Sequence, residues 1–226
     1  VLDTLRDLRR RLNIDSDRAF LFGFEDGGSL AYDVALGHPD LFAGVAPMCG
    51  GIAPFTRRFY WPNAQHLPMY IIDGGRNGEN AKHVKELFKD RWMREPYSVI
   101  FVEYKGRNSE WLSEEVPKIL HWMSRKKRHA PAKEMGRANP GVGGLWEEFR
   151  STRNGDNSFY WLKADTIEGR CLSGHAVSQW KGTFAPAAFQ ATLSTENKSD
   201  KDGVARIFNK AHLRVSGLQN VSFWIT

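Results

Sequence analysis

Cysteine is scarce: Cys49 and Cys171 stand far apart in a chain of 226 residues. Two thiols so placed make neither a metal-binding spacing nor a disulfide framework, which excludes a zinc module and a stapled mini-domain. Long apolar runs are missing as well, and no stretch approaches the ~20 residues a membrane-spanning helix requires. No leader with a charged start and an apolar middle opens the chain. It begins at once on a helical pattern and reads as a piece of something longer. No internal repeat is evident. An excess of one charge sign is nearly absent too, with 32 basic against 26 acidic residues and a formal net charge of +6. The basic residues sit in short runs, so nucleic acid is not the expected partner. What remains is ordinary globular material, 41% hydrophobic and 26% charged, long enough for one large domain or for an ordinary one with a small one beside it.

The first part alternates strand and helix. Leu2, Leu5, Leu8 and Leu12 form one stripe of a charged amphipathic helix. Ala19–Phe22 is a short, continuous apolar run suited to a buried parallel strand. A glycine-rich turn follows, then a helix from about Gly28 to Leu36, ended by His38-Pro39-Asp40. Phe42–Pro47, Met69–Ile72 and Ser98–Glu103 read as further strands, and Ala81–Trp92 and Ser113–Lys127 as helices. This order predicts an α/β domain with a mostly parallel sheet flanked by helices in three layers. After about residue 130 the pattern changes. Residues 130–150 read as a linker rich in proline and glycine. Residues 151–226 read as a small, mostly β domain that is cut short, with strand-like runs at Ser158–Ala164, Ala187–Ser194, Ala205–Phe208, Leu213–Val215 and Val221–Ile225. Asn197, Ser199, Asp200, Asp202 and Gly203 read as turn residues between them.

One turn carries chemistry. In Leu21-Phe22-Gly23-Phe24-Glu25-Asp26-Gly27-Gly28 a strand turns sharply into a helix, with glycines two residues before and after a central residue. Such a turn exposes the central side chain above the sheet and needs small neighbours at both flanking positions. The run resembles the nucleophile elbow of the α/β-hydrolase superfamily, with Glu25 where serine stands. His38-Pro39-Asp40-Leu41-Phe42-Ala43-Gly44-Val45-Ala46-Pro47 is similar to the stretch after the elbow in secreted esterases and prolyl-oligopeptidase-like hydrolases. Gly106-Arg107-Asn108-Ser109-Glu110-Trp111 looks like the turn before the last helix. The resemblance covers about residues 1–128 and implies the second half of that fold, within a C-terminal half-domain over residues 1–129. The superfamily's order of nucleophile, acid and base then falls on Glu25, Asn77 and Ser109, all three substituted. Gly23, Asp26 and Gly27 would be the vestigial elbow and oxyanion site.

A serine mechanism needs a hydroxyl nucleophile, a base and an acid that orients the base. Glu25 lacks the hydroxyl, Ser109 is no base near neutral pH, and Asn77 cannot stabilise an imidazolium. The resemblance leaves one other route open. Related dehalogenases and epoxide hydrolases attack through an elbow aspartate, yet they too need a histidine to activate water. No histidine stands at the expected turn, and His66, His83 and His121 lie on segments aimed elsewhere. Asp73 is an alternative acid. A quiet role for Glu25 is also open: its carboxylate could fold back to the N–H of Asp26 and fill the vestigial oxyanion site, where the helix dipole favours an anion by about 0.3–1 kcal/mol.

The expected function is therefore a catalytically inactive pseudo-hydrolase acting as a binding or assembly scaffold, with no cofactor and no metal. Two alternatives stand beside it. One is an esterase or peptidase with a rearranged or incomplete site. The other is a basic interaction module, for which Arg125-Lys126-Lys127-Arg128-His129 is the candidate patch. The resemblance includes many secreted or periplasmic proteins. Asp26 is expected to cap its helix, Cys49 to be a core thiol and His83 to be solvated, while His175 and His212 are too isolated for a metal site. Trp146, Trp161, Trp180 and Trp224 are expected to fill a small core rather than bind sugars or peptides. A half-sheet exposes a strand edge. The expected cover is another chain, a cleaved part of the same precursor, or a dimer.

Overall fold

A computed structural model describes residues 1–94, 96–128, 147–173, 184–199 and 205–223, with the backbone alone for 193–199 and 205–209. The chain divides into two compact units, Val1–His129 and Ala130–Thr226.

In the first unit α1 (Leu2–Arg11) leads to β1 (Phe20–Phe24), α2 (Asp26–Gly37), β2 (Gly44–Met48), β3 (Met69–Gly74), α3 (Gly78–Leu87), β4 (Val99–Tyr104) and α4 (Val116–Ser124). The four strands form one parallel sheet in the order β1-β2-β3-β4. Every residue of β2 and β3 is buried, as expected of parallel strands covered on both faces. That is why these segments read as unbroken apolar runs. Pro47 has no N–H to give β3, and the β2–β3 ladder is registered only at Val45 with Met69 and Met48 with Ile72. One core cluster joins Ala46, Met48, Tyr70, Ile72, Leu112, Ile119 and Trp122. Gly44 permits this packing, since a Cβ there would lie 2.6 Å from the Trp122 ring.

The helix read over Ser113–Lys127 is shorter. A 3₁₀ turn at Ser113–Glu115 precedes α4, with Pro117 in the first helical turn, where its missing N–H costs nothing. Glu115, 1% exposed, anchors this corner. It accepts from the hydroxyls of Tyr70 at 2.9 Å and Tyr104 at 2.6 Å, and Lys118 pairs with it.

The second unit holds β5 (Glu147–Ser151), β6 (Ser158–Phe159), β7 (Leu162–Ile167), β8 (Ala187–Ser199), β9 (Ala205–Ser216) and β10 (Leu218–Phe223). They form two antiparallel sheets, β10-β7-β6 and β5-β8-β9. Phe149, Phe159, Trp161, Leu162, Ala164, Phe189 and Ala191 make its core, and the Phe149 and Phe159 rings stack at 5.2 Å. Several expectations change here. The stretch read as linker to residue 150 ends in β5, whose residues alternate between buried and half-buried. Ser158–Ala164 is not one strand, because the backbone turns at Tyr160 with φ of 54°. Ala205–Phe208 and Leu213–Val215 belong to a single strand, since twelve residues of β9 pair continuously with β8. That pairing also takes Asn197 and Ser199 into β8. Asp200, Asp202, Gly203, His175, Trp146, Trp180 and Trp224 lie outside the described residues. Trp161 is buried and donates to Glu147 at 2.8 Å.

Candidate functional site

The sharp turn from β1 into α2 places Glu25 at φ 50° and ψ −113°, a conformation that L side chains rarely adopt and that costs of order 1–3 kcal/mol. The surroundings hold it there. The Glu25 N–H donates to the Met48 carbonyl at 2.9 Å, and its carbonyl receives the Ser29 N–H at 2.9 Å. Of the two flanking glycines, only Gly23 is required by space. A Cβ on Gly23 would lie 2.1 Å from the Gly27 carbonyl oxygen, whereas a Cβ on Gly27 would meet nothing within 4 Å. The expectation that both positions must be small is thus corrected, because the crowding is between Gly23 and the backbone of Gly27. The second close approach joins Gly28 and Gly50, where a Cβ on Gly50 would sit 2.4 Å from the Gly28 carbonyl carbon.

The Glu25 carboxylate does not fold back on its own helix; no side-chain bond caps α2. It reaches across to the turn after β4, where the Ser109 hydroxyl donates to its Oε1 at 2.6 Å. The oxyanion-filling role for Glu25 is corrected accordingly: the hydroxyl of Ser109 outcompetes the Asp26 N–H as its partner. Asp26 is the first residue of α2 rather than its cap, and contributes negative charge to the first turn.

Asn77 stands apart from this pair. Its Nδ2 donates to Asp73 Oδ1 at 2.9 Å and to the Cys49 carbonyl at 3.2 Å. Asp73 is 1% exposed, and burial pushes its carboxyl up to about 6 against the lowering effect of the Asn77 bond. Asp73 in turn adds to the burial that raises the Tyr32 hydroxyl. Cys49 follows β2 directly and lies in the left-handed region, with φ of 54°. Its Sγ donates to the Glu110 carbonyl at 3.6 Å, and burial pushes the thiol up, away from the thiolate that a nucleophile requires. Trp111, two residues after Ser109, is 49% exposed and packs on Phe22 and Phe24 at 5.7 and 5.6 Å. Beside it Arg107 and Glu110 pair at 2.6 Å.

The structure thus brings Glu25 and Ser109 into contact across 84 residues of chain and ties Asn77 to Asp73. Among the described residues no histidine is a partner of Glu25, Asn77 or Ser109. His83 lies on α3 beside Glu79, and His121 is exposed on α4. Sequence reasoning missed the strained backbone of Cys49. It also missed the depth of Asp73, although Asp73 ends an unbroken apolar run, the signal for a strand tip buried in the sheet. Among the described residues no cluster of three or more His, Cys, Asp or Glu is placed to hold a metal. No helix there is long and apolar enough to cross a membrane.

No family model matches the chain, and no curated protein does. Among solved structures, it is similar to a thermostable esterase at 22% identity and TM-score 0.46, over 56% of this chain and 36% of that one. It is similar to SOBER1 of Arabidopsis thaliana at 20% identity and TM-score 0.44, over 55% and 60%. It is similar to an s-formylglutathione hydrolase of Staphylococcus aureus at 15% identity and TM-score 0.43, over 54% and 58%. The chain thus spans less than two thirds of each of these structures. The strained elbow at Glu25, the parallel order β1-β2-β3-β4 and the turn that returns Ser109 to the elbow give the first unit its description: a partial α/β-hydrolase fold.

Proposed function

We propose that this chain is a non-catalytic member of the hydrolase-like fold, a pseudo-hydrolase that serves as a binding or assembly scaffold without a cofactor. The observation that carries the reading is the bond from Ser109 to Glu25. The two positions that should form nucleophile and base instead satisfy each other, with a carboxylate accepting from a hydroxyl. A carboxylate is a weak base for an alcohol, and no imidazole stands between them to move the proton. Asn77, at the acid position, is held by Asp73 and Cys49 and has no base to orient. The competing reading, an esterase or peptidase with a rearranged site, draws on the same short bond, with Glu25 taking the proton of Ser109. A panel of p-nitrophenyl esters and chromogenic peptides separates the two. The scaffold reading expects rates equal to buffer, whereas turnover lost on Ser109→Ala supports the enzyme.

The basic-module reading is weaker on its candidate patch. Arg128 is held by Asp17 at 2.7 Å and by the Asp40 carbonyl at 3.0 Å, so one cation of that run is already spent on the fold.

A further inference from the structure

The dipeptide Asn-Gly occurs twice, in Arg76-Asn77-Gly78-Glu79 and in Arg153-Asn154-Gly155-Asp156. Each asparagine follows an arginine and each glycine precedes an acid, so the two sites have nearly the same local chemistry. The fold treats them differently. The Asn77 Nδ2 is held by Asp73 and by the Cys49 carbonyl, and no donor reaches its Oδ1 among the described residues. Asn154 has the reverse arrangement. Its Oδ1 accepts from the Ile167 N–H at 3.2 Å, and its Nδ2 has no partner among the described residues. Only the oxygen of an amide can accept from that N–H, which fixes which way the side chain is turned. Asn154 and Gly155 are both exposed. They are the central pair of a turn closed by the Asp156 N–H to the Arg153 carbonyl at 3.0 Å. The Gly155 N–H has no partner among the described residues. A Cβ on Gly155 would meet nothing within 4 Å.

We propose that Asn154 is a self-modification site: in the folded chain it loses its amide nitrogen and becomes aspartate or isoaspartate, while Asn77 does not. The Gly155 nitrogen, deprotonated by solvent base, attacks Asn154 Cγ. The N–Cγ bond forms, the Cγ–Nδ2 bond breaks, and Nδ2 leaves as ammonia with a proton from water, closing a succinimide ring. Water then opens that ring at Cγ to give aspartate, or at the main-chain carbonyl carbon to give isoaspartate. The Ile167 N–H donates to the oxygen on which negative charge grows during the attack, the part an oxyanion donor plays. The free Nδ2 leaves without breaking a bond to the protein. At Asn77 both conditions are inverted, because the departing nitrogen is the atom held and the oxygen has no donor. Isoaspartate adds a carbon to the main chain. It therefore opens the turn that the Asp156 N–H and the Arg153–Asp156 ion pair now close. The acid position of the elbow site stays an amide, and the inference stands independently of whether the elbow is silent.

The test is peptide mapping by mass spectrometry on the full chain, incubated in mildly alkaline buffer, both folded and in concentrated guanidinium chloride. Fragmentation across the main chain separates isoaspartate from aspartate. In the folded chain Asn154 is expected to convert at least about tenfold faster than Asn77, the factor that one or two broken hydrogen bonds correspond to. In guanidinium both asparagines lose their partners, and with matched neighbours their rates are expected to agree within about threefold. Gly155→Ala, which the open space at Gly155 tolerates, is expected to slow conversion at Asn154 at least about tenfold, because a Cβ restricts the main chain that the ring must bend. Asn77 converting as fast as Asn154 in the folded chain overturns the proposal. So does conversion of Asn154 in guanidinium alone, or a rate ratio that survives unfolding, since the fold would then not be its cause. Conversion indifferent to Gly155→Ala overturns the succinimide route.

Discussion

Gly23→Ala isolates the crossing of β1 and α2 that builds the elbow. The new methyl carbon would stand 2.1 Å from the Gly27 oxygen, 2.3 Å from the Gly27 carbonyl carbon and 2.8 Å from the Gly28 nitrogen. Ordinary non-bonded contact lies near 3.5 Å, so the methyl is about 1.4 Å too close to the first of these. All three atoms are backbone in the first turn of a helix, so no side chain can swing aside and α2 itself must lift from the sheet. Overpacking costs about 1–3 kcal/mol where side chains can adjust, which puts this case at about 3 kcal/mol. The lower chain entropy of alanine in the unfolded state returns about 0.4–1 kcal/mol, leaving a net loss of about 2 kcal/mol. With a urea slope near 2 kcal/mol/M, the midpoint should fall by about 1 M. Gly27→Ala is the matched control. Its Cβ meets nothing within 4 Å, and alanine in a helix is favoured over glycine by about 0.5–1 kcal/mol, so its midpoint should hold or rise. Urea titrations followed by tryptophan fluorescence and near-ultraviolet circular dichroism read both variants. Equal losses for the two, or an unchanged midpoint for Gly23→Ala, would refute the packing argument.

Three further outcomes are expected. Asp73→Asn should stabilise the protein at pH 7 by on the order of 3 kcal/mol and change it little near pH 4. The native carboxyl, raised to about 6, holds its proton through the window in which the unfolded chain has lost it, so stability falls as pH rises from about 4 to 6. Asp40, also raised to about 6 by burial, gives the variant a remaining slope over the same window; thermal melts across pH 4–8 check both. Ser109→Ala should cost under about 1 kcal/mol in urea unfolding, because its bond to Glu25 is exposed to solvent. Phe149→Ala should cost about 3–5 kcal/mol in the second unit, where the ring is fully buried against Phe159, and hydrogen exchange in β7 and β8 would report it.

The parallel sheet was legible because its inner strands are buried on both faces and so read as plain apolar runs, Val45–Met48 and Met69–Ile72 among them. The elbow was legible because glycine at position 23 has a steric cause. The partners of Glu25 and Asn77 were not, since each is chosen by groups far away in the chain: Ser109 by the return of the turn after β4, Cys49 and Asp73 by the ends of neighbouring strands. The second unit was read less well. Asn197 and Ser199 read as turn residues, whereas their pairing with β9 places them in β8 and overrides that local preference. Tyr160, with no glycine to announce it, hid a hairpin turn.

Intact-mass analysis after incubation with a fluorophosphonate tests the central claim most directly. A serine activated by a base attacks phosphorus and keeps the phosphonyl group; a serine that keeps its proton and only donates a hydrogen bond to a carboxylate does not. The account expects an unshifted mass for the full chain after prolonged exposure, with Ser109→Ala indistinguishable from it. A stoichiometric adduct located at Ser109 and absent from the variant would contradict the account.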